Sequence, residues 1–232
     1  LAWACWKMYL GRPDTDRFRR DAMEILGGAL VTSQRCAEAL PVLEAELALN
    51  QRYWSRDDEA VRSAQTNLAN CLEDLRRHDE ALVLQRAVHA RKVATLGVSH
   101  ESTLVSGVNV INSLLKLARF DEAKSLTRDQ LLPAARQSLG ADHDLMLKIY
   151  QNLAVALRDN PKRTRGDPRW NQDSRGVSRP AFDFNTENDL REALTIMQDV
   201  VQRRRRVFGP AHPGTHRAET ALSNVCAELA LA

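Results

Sequence analysis

The chain has 232 residues and a formal net charge of +3, and hydrophobic residues make up 44% of it but aromatic residues only 5%. That balance excludes an aromatic-rich β-sandwich and favours Ala- and Leu-rich helices. Its cysteines, Cys5, Cys36, Cys71 and Cys226, are far apart and form no C-x-x-C pair, which excludes a zinc knuckle or a disulfide framework. No apolar run approaches the roughly 18 residues of a membrane helix, so we expect a cytoplasmic protein.

The first segment, residues 1–18, opens inside a helical pattern and begins with Leu rather than Met. We expect it to be the end of a preceding repeat or an N-terminal cap, and we expect the natural protein to extend beyond this chain.

A short signature then recurs at Gly97, Gly140 and Gly209, each followed by a histidine three residues later. The first step is 43 residues, and the second, 69, is one period of about 42 plus an insertion of about 27. An Asp-Glu-Ala triplet gives the same period, because Asp79 returns as Asp121 after 42 residues. A fixed period of this length is typical of stacked helical repeats.

Apolar residues between these marks follow helical spacing, so each repeat is predicted to be a pair of helices. The first helices are expected near 19–34, 61–76, 103–118, 145–159 and 215–230, and the second near 38–52, 80–95, 122–138 and 188–207.

The ends of the helices also follow the period. Asp79 and Asp121 are predicted to cap second helices, and Gly97, Gly140 and Gly209 to end them in the left-handed conformation. A small residue recurs near the start of each second helix, where it would let the paired helices cross closely: Ala39, Ala81, Ala123 and Ala193.

The repeats resemble tetratricopeptide repeats of the kinesin light chain-like kind, which are about 42 residues long. The resemblance is carried by the linker Leu-Gly-x-x-His-x-x-Thr, by Asn-Leu-Ala at 67–69 and 152–154, and by Phe-Asp-Glu-Ala at 120–123. The end repeats depart from it, with Ile-Leu-Gly at 25–27 and Ala-Leu-Ser at 221–223 in place of Asn-Leu-Ala. No heptad pattern continues over several turns, so a coiled coil to a motor is not indicated.

This resemblance implies an all-α fold, a right-handed α-α superhelix or solenoid with a long loop insertion in one repeat. About four and a half helix pairs are assigned to residues 19–159 and 187–232, and the insertion to 160–186.

In such arrays the first helices line a concave groove, and the resemblance implies that asparagines on that face hold the backbone of an extended peptide. Asn67, Asn109 and Asn152 recur at one position with steps of 42 and 43 residues. A second row three residues further on comprises Asn70, Asn112 and Asn224. A carboxamide both donates and accepts, so it can pair with a peptide group whatever the side chain. The alternative is that these asparagines bond neighbouring helices.

The charges on this face become more basic along the chain. Lys116, Lys148 and Arg158 are close in the predicted stack to the asparagine rows, which favours a peptide with an acidic segment.

The linker histidines, His100, His143 and His212, lie in different repeats and cannot converge on one metal ion. We expect each ring to hydrogen-bond backbone at its junction instead. The chain has no H-E-x-x-H motif, Gly-rich phosphate loop or G-x-S-x-G elbow, so we expect no metal, cofactor, small-molecule substrate or catalysis.

The insertion, residues 160–186, is broken by proline and glycine and is predicted to be a long loop. The insertion has three aspartates and six cations, so its net charge is +3. The cations are Lys162, Arg163, Arg165, Arg169, Arg175 and Arg179. Such a segment could bind an acidic partner or nucleic acid, cover the groove, or be a loop that the repeat surface tolerates.

Four consecutive arginines, Arg203–Arg206, look like a second basic patch, but successive helical residues point around the whole cylinder. At a helix C-terminus they also complement the helix dipole, which favours a structural role.

The sequence therefore predicts a protein-binding adaptor or scaffold that holds an extended peptide of another protein in its concave groove. The alternative is a charge-driven binder of nucleic acid or an acidic surface, through the insertion and Arg203–Arg206.

Overall fold

The computed structural model describes residues 2–53, 59–159, 170–172, 178–180 and 184–230, and this part of the chain is helical apart from one short hairpin. The first five helices are α1 (Ala2–Tyr9), α2 (Arg17–Thr32), α3 (Cys36–Tyr53), α4 (Glu59–Asp74) and α5 (His78–Leu96). After them come α6 (Glu101–Lys116), α7 (Phe120–Ser125), a π-helical segment (Leu126–Leu131), α8 (Leu132–Ser138), α9 (Asp144–Arg158), α10 (Phe184–Phe208) and α11 (Pro213–Ala230).

The chain divides into two compact units, Leu1–Gly97 and Val98–Ala232. In the first unit each helix from α1 to α5 packs on the next, and the first helices α2 and α4 also touch. In the second unit α6 packs on α7, α8 and α9, while α9 packs on α10 and α11. Each unit is therefore a stack of helix pairs, and the predicted all-α repeat fold is confirmed.

Small residues lie where the helices of a pair cross. Ala39, Ala81, Ala123 and Ala193 are completely buried, as their period predicted. Larger apolar side chains fill the space around them, and in the first unit one cluster joins Leu26, Leu43, Val61, Leu68 and Leu72 to the small Ala39 and Ala81. The free energy of folding is carried mainly by this burial between helices, since an isolated helix pair leaves its apolar face exposed to water.

Three first helices end in the same way, at a residue with positive φ that is not glycine. Gln34, Arg76 and Ala118, 42 residues apart, have φ of 58°, 60° and 55°. The backbone N–H of the next residue then donates to the carbonyl five residues earlier, as from Arg77 to Leu72 at 2.9 Å. This bond satisfies a carbonyl that the helix end would leave unpaired.

The predicted caps of the second helices are wrong. The capping positions of α5 and α7 are Arg77 and Arg119, whose side chains make no capping bond. Asp79 and Asp121 lie instead inside the first turn, where a carboxylate still interacts favourably with the positive end of the helix dipole. The same arginines each make a bidentate ion pair with the glutamate three residues later, as Arg77 does with Glu80 at 2.6 and 2.7 Å.

The glycine prediction holds for the sign of φ at two of its three positions, although at Gly97 the ψ of 163° is outside the left-handed helical region. Gly97 and Gly209 have φ of 85° and 84°. Gly140 was expected to end its helix in the same conformation, but α8 ends at Ser138 and is capped by the extended Leu139. The turn is therefore made one residue earlier, without a positive φ.

The π-helical segment Leu126–Leu131 accounts for one irregularity of the repeat. The stretch from Glu122 to Gly140 is one residue longer than the equivalent stretch from Glu80 to Gly97. A π turn absorbs one extra residue without breaking the helix. Here it also places Leu131 against Gly107 of α6, where a Cβ atom would come within 2.8 Å of the leucine Cδ2.

Only part of the insertion belongs to the described chain. Trp170–Gln172 (β1) and Ser178–Pro180 (β2) pair as antiparallel strands, with Asn171 opposite Arg179. Helix α10 begins at Phe184, four residues before the predicted start. The other residues assigned to the insertion, 160–169, 173–177 and 181–183, lie outside the described ones, as do residue 1, residues 54–58 and residues 231–232. No helix within the described ranges is both long and apolar enough to cross a bilayer.

Candidate functional site

The linker histidines cap the helices that follow them. Nδ1 of His100, His143 and His212 accepts the backbone N–H two residues later, at 3.1, 3.2 and 3.1 Å. An accepting Nδ1 carries no proton, so the neutral ring is protonated at Nε2. The predicted bond to backbone at each junction is thus confirmed.

The first asparagine row lies partly exposed on the first helices. Asn67 is in α4 of the first unit, and Asn109 and Asn152 are in α6 and α9 of the second. In the second row all three residues, Asn70, Asn112 and Asn224, are exposed.

One bond links the two rows in the second unit. Nδ2 of Asn152 donates to Oδ1 of Asn112 at 2.8 Å, which joins α9 to α6. This contact is of the helix-to-helix kind that the sequence left as the alternative. Each amide still has a hydrogen-bonding group beyond that bond, because a carboxamide carries two donors and one carbonyl.

A polar cavity of about 320 Å³ lies beside Asn152, and all the residues that line it belong to the second unit. They come from α9, α10, α11 and the turn before α11: Asp144, Lys148, Gln151, Asn152, Arg204, His212, Gly214 and Arg217. Two residues of the predicted groove, Lys148 and Asn152, are among them.

Asp144 organises the cations on one side of this cavity. Its carboxylate accepts from Lys148 at 2.7 Å and from Arg204 at 2.9 Å. Burial acts to raise the pKa of Asp144, but the hydrogen bonds and charges of Lys148 and Arg204 outweigh it and hold the pKa below its usual value. The carboxylate is therefore ionised at neutral pH.

Arg204 is a buried charged residue in the wall of the cavity. Its side chain is only 2% exposed, and its Nε has no hydrogen-bond partner in the described part of the chain. Gly214 makes room for it, because a Cβ at that position would lie 2.6 Å from Nη1 of Arg204. A buried N–H without an acceptor costs free energy, on the order of 1–3 kcal/mol.

The sequence analysis named Arg204 only within the basic run Arg203–Arg206 and did not place it in the groove, although the repeat offers a signal for it. It did not predict Asp144, Gln151, Gly214 or Arg217 as site residues. Lys92 stands at the same place in its second helix as Arg204, five residues before the terminal glycine. Glu59 likewise precedes Asp144 by two repeats. An alignment of the repeats that matches Lys92 with Arg204 and Glu59 with Asp144 would have indicated the pair Arg204 and Asp144.

The four arginines that end α10 are paired inside the second unit. Arg203 contacts Asp199 at 2.7 Å, Arg204 contacts Asp144, and Arg205 contacts Glu219 at 2.6 Å. Arg206 contacts Asp142 at 2.5 Å. The structural role that the sequence favoured for this run agrees with these contacts.

The other basic residues predicted for the groove lie at helix ends. Lys116 is the last, exposed residue of α6, and Arg158, the last of α9, forms a bidentate pair with Asp159 at 2.6 and 2.8 Å. Of the insertion's cations only Arg179 falls within a described segment, in β2. The other five, Lys162, Arg163, Arg165, Arg169 and Arg175, lie outside the described residues.

In the described ranges, no three His, Cys, Asp or Glu side chains are arranged to hold a metal ion. Cys36 and Cys71 are both buried as free thiols, and burial together with the Asp74 hydrogen bond raises the pKa of Cys36 to about 12. Cys36 is consequently a poor nucleophile at neutral pH.

Comparison with known proteins identifies the repeat. The family model for the tetratricopeptide repeat matches residues 61–102 and 185–214. The nearly identical TPR-like repeats of a kinesin light chain candidate from Podosopora anserina superpose with a TM-score of 0.67 at 18% identity, covering 90% of this chain and 86% of that one. No curated protein sequence matches the chain significantly.

Two further solved structures share the fold. BtubC (BKLC) from P. vanneervenii superposes with a TM-score of 0.54 at 14% identity, covering 99% of this chain and 85% of its own. A Rap protein complexed with competence and sporulation factor gives 0.52 at 14% identity, with 99% of this chain and 58% of its own covered.

Two stretches of the chain therefore match the tetratricopeptide repeat, and the chain has the fold of tetratricopeptide-repeat structures. Its repeats have the fold of the kinesin light chain-like type, as the sequence predicted.

Proposed function

We propose that this chain is an adaptor or scaffold whose first-helix faces bind an extended peptide of a partner protein, without catalysis and in the cytoplasm. Tetratricopeptide repeats as a class are protein-interaction modules, and the Rap protein with the same fold was crystallised in complex with competence and sporulation factor. The observation that carries the proposal for this chain is the polar cavity of the second unit, which opens beside Asn152 and Lys148.

The asparagine rows supply the contacts that an extended peptide needs. Its N–H and C=O groups lose their water on binding and require partners of both kinds. Asn109, Asn112 and Asn152 present such groups at the surface of α6 and α9. Lys148 and Arg217 add positive charge on the same side, which favours an acidic ligand.

The charge-driven alternative has less support. Arg203–Arg206 are engaged by Asp142, Asp144, Asp199 and Glu219, so this run is not a free stripe of cations. Binding of nucleic acid would require many unpaired cations along one face.

The test is a quantitative pull-down from native cytosol with the wild type and with the Asn67→Ala, Asn109→Ala, Asn152→Ala variant. A matched control replaces three exposed amides of the second helices instead: Gln51, Gln130 and Gln202. We expect a defined set of proteins to be captured by the wild type and the control and lost by the asparagine variant. Equal capture by all three folded proteins would refute binding through the first-helix face.

A further inference from the structure

We propose that the cavity of the second unit anchors a phosphorylated side chain, a phosphoserine or phosphothreonine of the bound peptide. This inference rests on the proposed function, and it names the chemistry of the ligand at that site.

The charge of the cavity matches a dianion. Lys148, Arg204 and Arg217 carry three positive charges, and Asp144 carries one negative charge. His212 adds none while its Nδ1 accepts from the N–H of Gly214. A phosphomonoester carries about −1.5 to −2 at neutral pH, so it compensates both remaining charges, whereas a carboxylate leaves one.

The donors around the cavity suit the three oxygens of a phosphoryl group. Arg217 is exposed, and the one bond described for its side chain is the long 3.4 Å contact of Nε with Pro213 O, which leaves its Nη groups for a ligand. Lys148 uses one N–H on Asp144 and keeps two others. Arginine and lysine donors of this kind bind phosphate through short, charge-assisted hydrogen bonds.

The buried arginine gives an independent indication. Arg204 lines the cavity with a side chain that is 2% exposed, and its Nε lacks an acceptor. The ion pair with Asp144 gives the Nη1 group of Arg204 an acceptor but leaves the Nε–H without one. The ion pair therefore does not use the whole hydrogen-bonding capacity of the guanidinium, whose positive charge lies in the wall of the cavity.

The cavity also has room for more than the phosphoryl group. Its volume of about 320 Å³ depends on the missing side chain at Gly214, since a Cβ there would lie 2.6 Å from Arg204 Nη1 and 3.1 Å from His212 Nδ1. The peptide backbone beside the modified residue would then reach Asn152, which lines the same cavity.

The experiment is an NMR titration of the whole chain that follows the arginine Nε–Hε signals. The probes are N-acetyl-phosphoserine amide, N-acetyl-glutamate amide and a thymidine oligonucleotide. We expect the phosphoserine probe to shift the Arg204 and Arg217 signals saturably, with an affinity about tenfold above that of the glutamate probe.

The variants separate the cavity from the general charge of the chain. Arg217→Gln is expected to weaken phosphoserine binding about tenfold. Arg191→Gln removes the same charge from an exposed position of α10 that pairs with Glu187, and is expected to leave binding unchanged. Gly214→Ala, which narrows the cavity, should weaken binding while all charges are kept.

Equal affinity for the glutamate and phosphoserine probes would overturn the phosphate assignment, and so would the absence of saturable shifts at Arg204 and Arg217. Tighter binding of the oligonucleotide at the same residues would overturn it in favour of nucleic acid. The proposed function is judged separately, because partner capture that still depends on Asn67, Asn109 and Asn152 would stand even if the phosphoserine probe failed.

Discussion

Two adjacent glycines of α2 meet opposite surroundings. A Cβ at Gly27 would lie 2.6 Å from Cδ2 of Leu43, whereas a Cβ at Gly28 would have nothing within 4 Å. Glycine inside a helix costs about 1 kcal/mol relative to alanine. Replacing it by alanine therefore stabilises the protein where the added Cβ has room and destabilises it where the Cβ meets other atoms.

We expect Gly28→Ala to raise the free energy of unfolding by about 0.5–1 kcal/mol and Gly27→Ala to lower it by about 1–3 kcal/mol. Urea denaturation followed by circular dichroism measures both. Stabilisation by both substitutions would mean that α2 and α3 are packed less tightly than described.

Glu46 is a buried carboxyl with an unsatisfied oxygen. It is 1% exposed on α3, and its Oε2 has no partner among the described residues. Burial, reinforced by the nearby Glu24 and opposed by Arg20, raises its pKa from 4.5 to about 7. The folded protein therefore holds this proton more tightly than the unfolded chain does.

The consequence is a loss of stability as pH rises. The uptake of this proton adds roughly 3 kcal/mol to the free energy of unfolding below about pH 4.5, and this contribution is lost by about pH 7. Glu46→Gln keeps the shape without the charge, so the difference in unfolding free energy between the variant and the wild type should grow over that interval. A difference that does not change with pH would contradict the raised pKa.

At the level of helices, α9 offers a test of the histidine caps. His143 accepts the N–H of Leu145, and its side chain is 39% exposed, so removing it leaves no cavity in the core. We expect His143→Ala to lower the free energy of unfolding by about 1 kcal/mol and His143→Asn, which can also cap, to restore most of it. Equal stability of the two variants would show that the cap contributes nothing.

Close crossing of the paired helices is tested in α5. Ala81 is completely buried, whereas Val83, two residues later on the same helix, is 69% exposed. Ala81→Trp cannot be accommodated without separating α5 from its neighbours, so we expect a loss of about 3 kcal/mol or more, and Val83→Trp should cost less than about 0.5 kcal/mol. Thermal unfolding followed by circular dichroism distinguishes the two. Similar melting temperatures would show that Ala81 is not at a close crossing.

Most element boundaries follow from local information, and so they could be predicted. Helix spacing and the 42-residue period placed α4 and α6 within two residues of their observed bounds. The π-helical segment was not predicted, although the extra residue between Glu122 and Gly140 was visible, because the sequence does not show whether such a residue enters a helix or a loop.

The site was predictable only where a residue recurs. Asn152 and Lys148 were found because the repeat places them on first helices. Arg204 was assigned to the helix dipole, and its burial depends on Asp144, 60 residues away, and on the absent side chain of Gly214. The period does mark the position, since Lys92 stands there in its own repeat, but a single sequence does not show that the side chain at this position is buried.

At the scale of the whole molecule, we propose that a tetratricopeptide fold recognises a peptide through the faces of its first helices. The two compact units each carry part of the asparagine rows, Asn67 and Asn70 in the first and Asn109, Asn112, Asn152 and Asn224 in the second. Both units are therefore expected to take part in binding a partner.

Site-specific photo-cross-linking in native cytosol tests this most directly. A photoreactive residue is placed at Asn70 or Asn112 on first helices, and at Gln51 or Gln130 on second helices, all of which are exposed. We predict that partner peptides are cross-linked from Asn70 and Asn112 and not from the two glutamines. Cross-links confined to the glutamine positions, or to photoreactive residues placed within 160–186, would contradict peptide binding by the first helices.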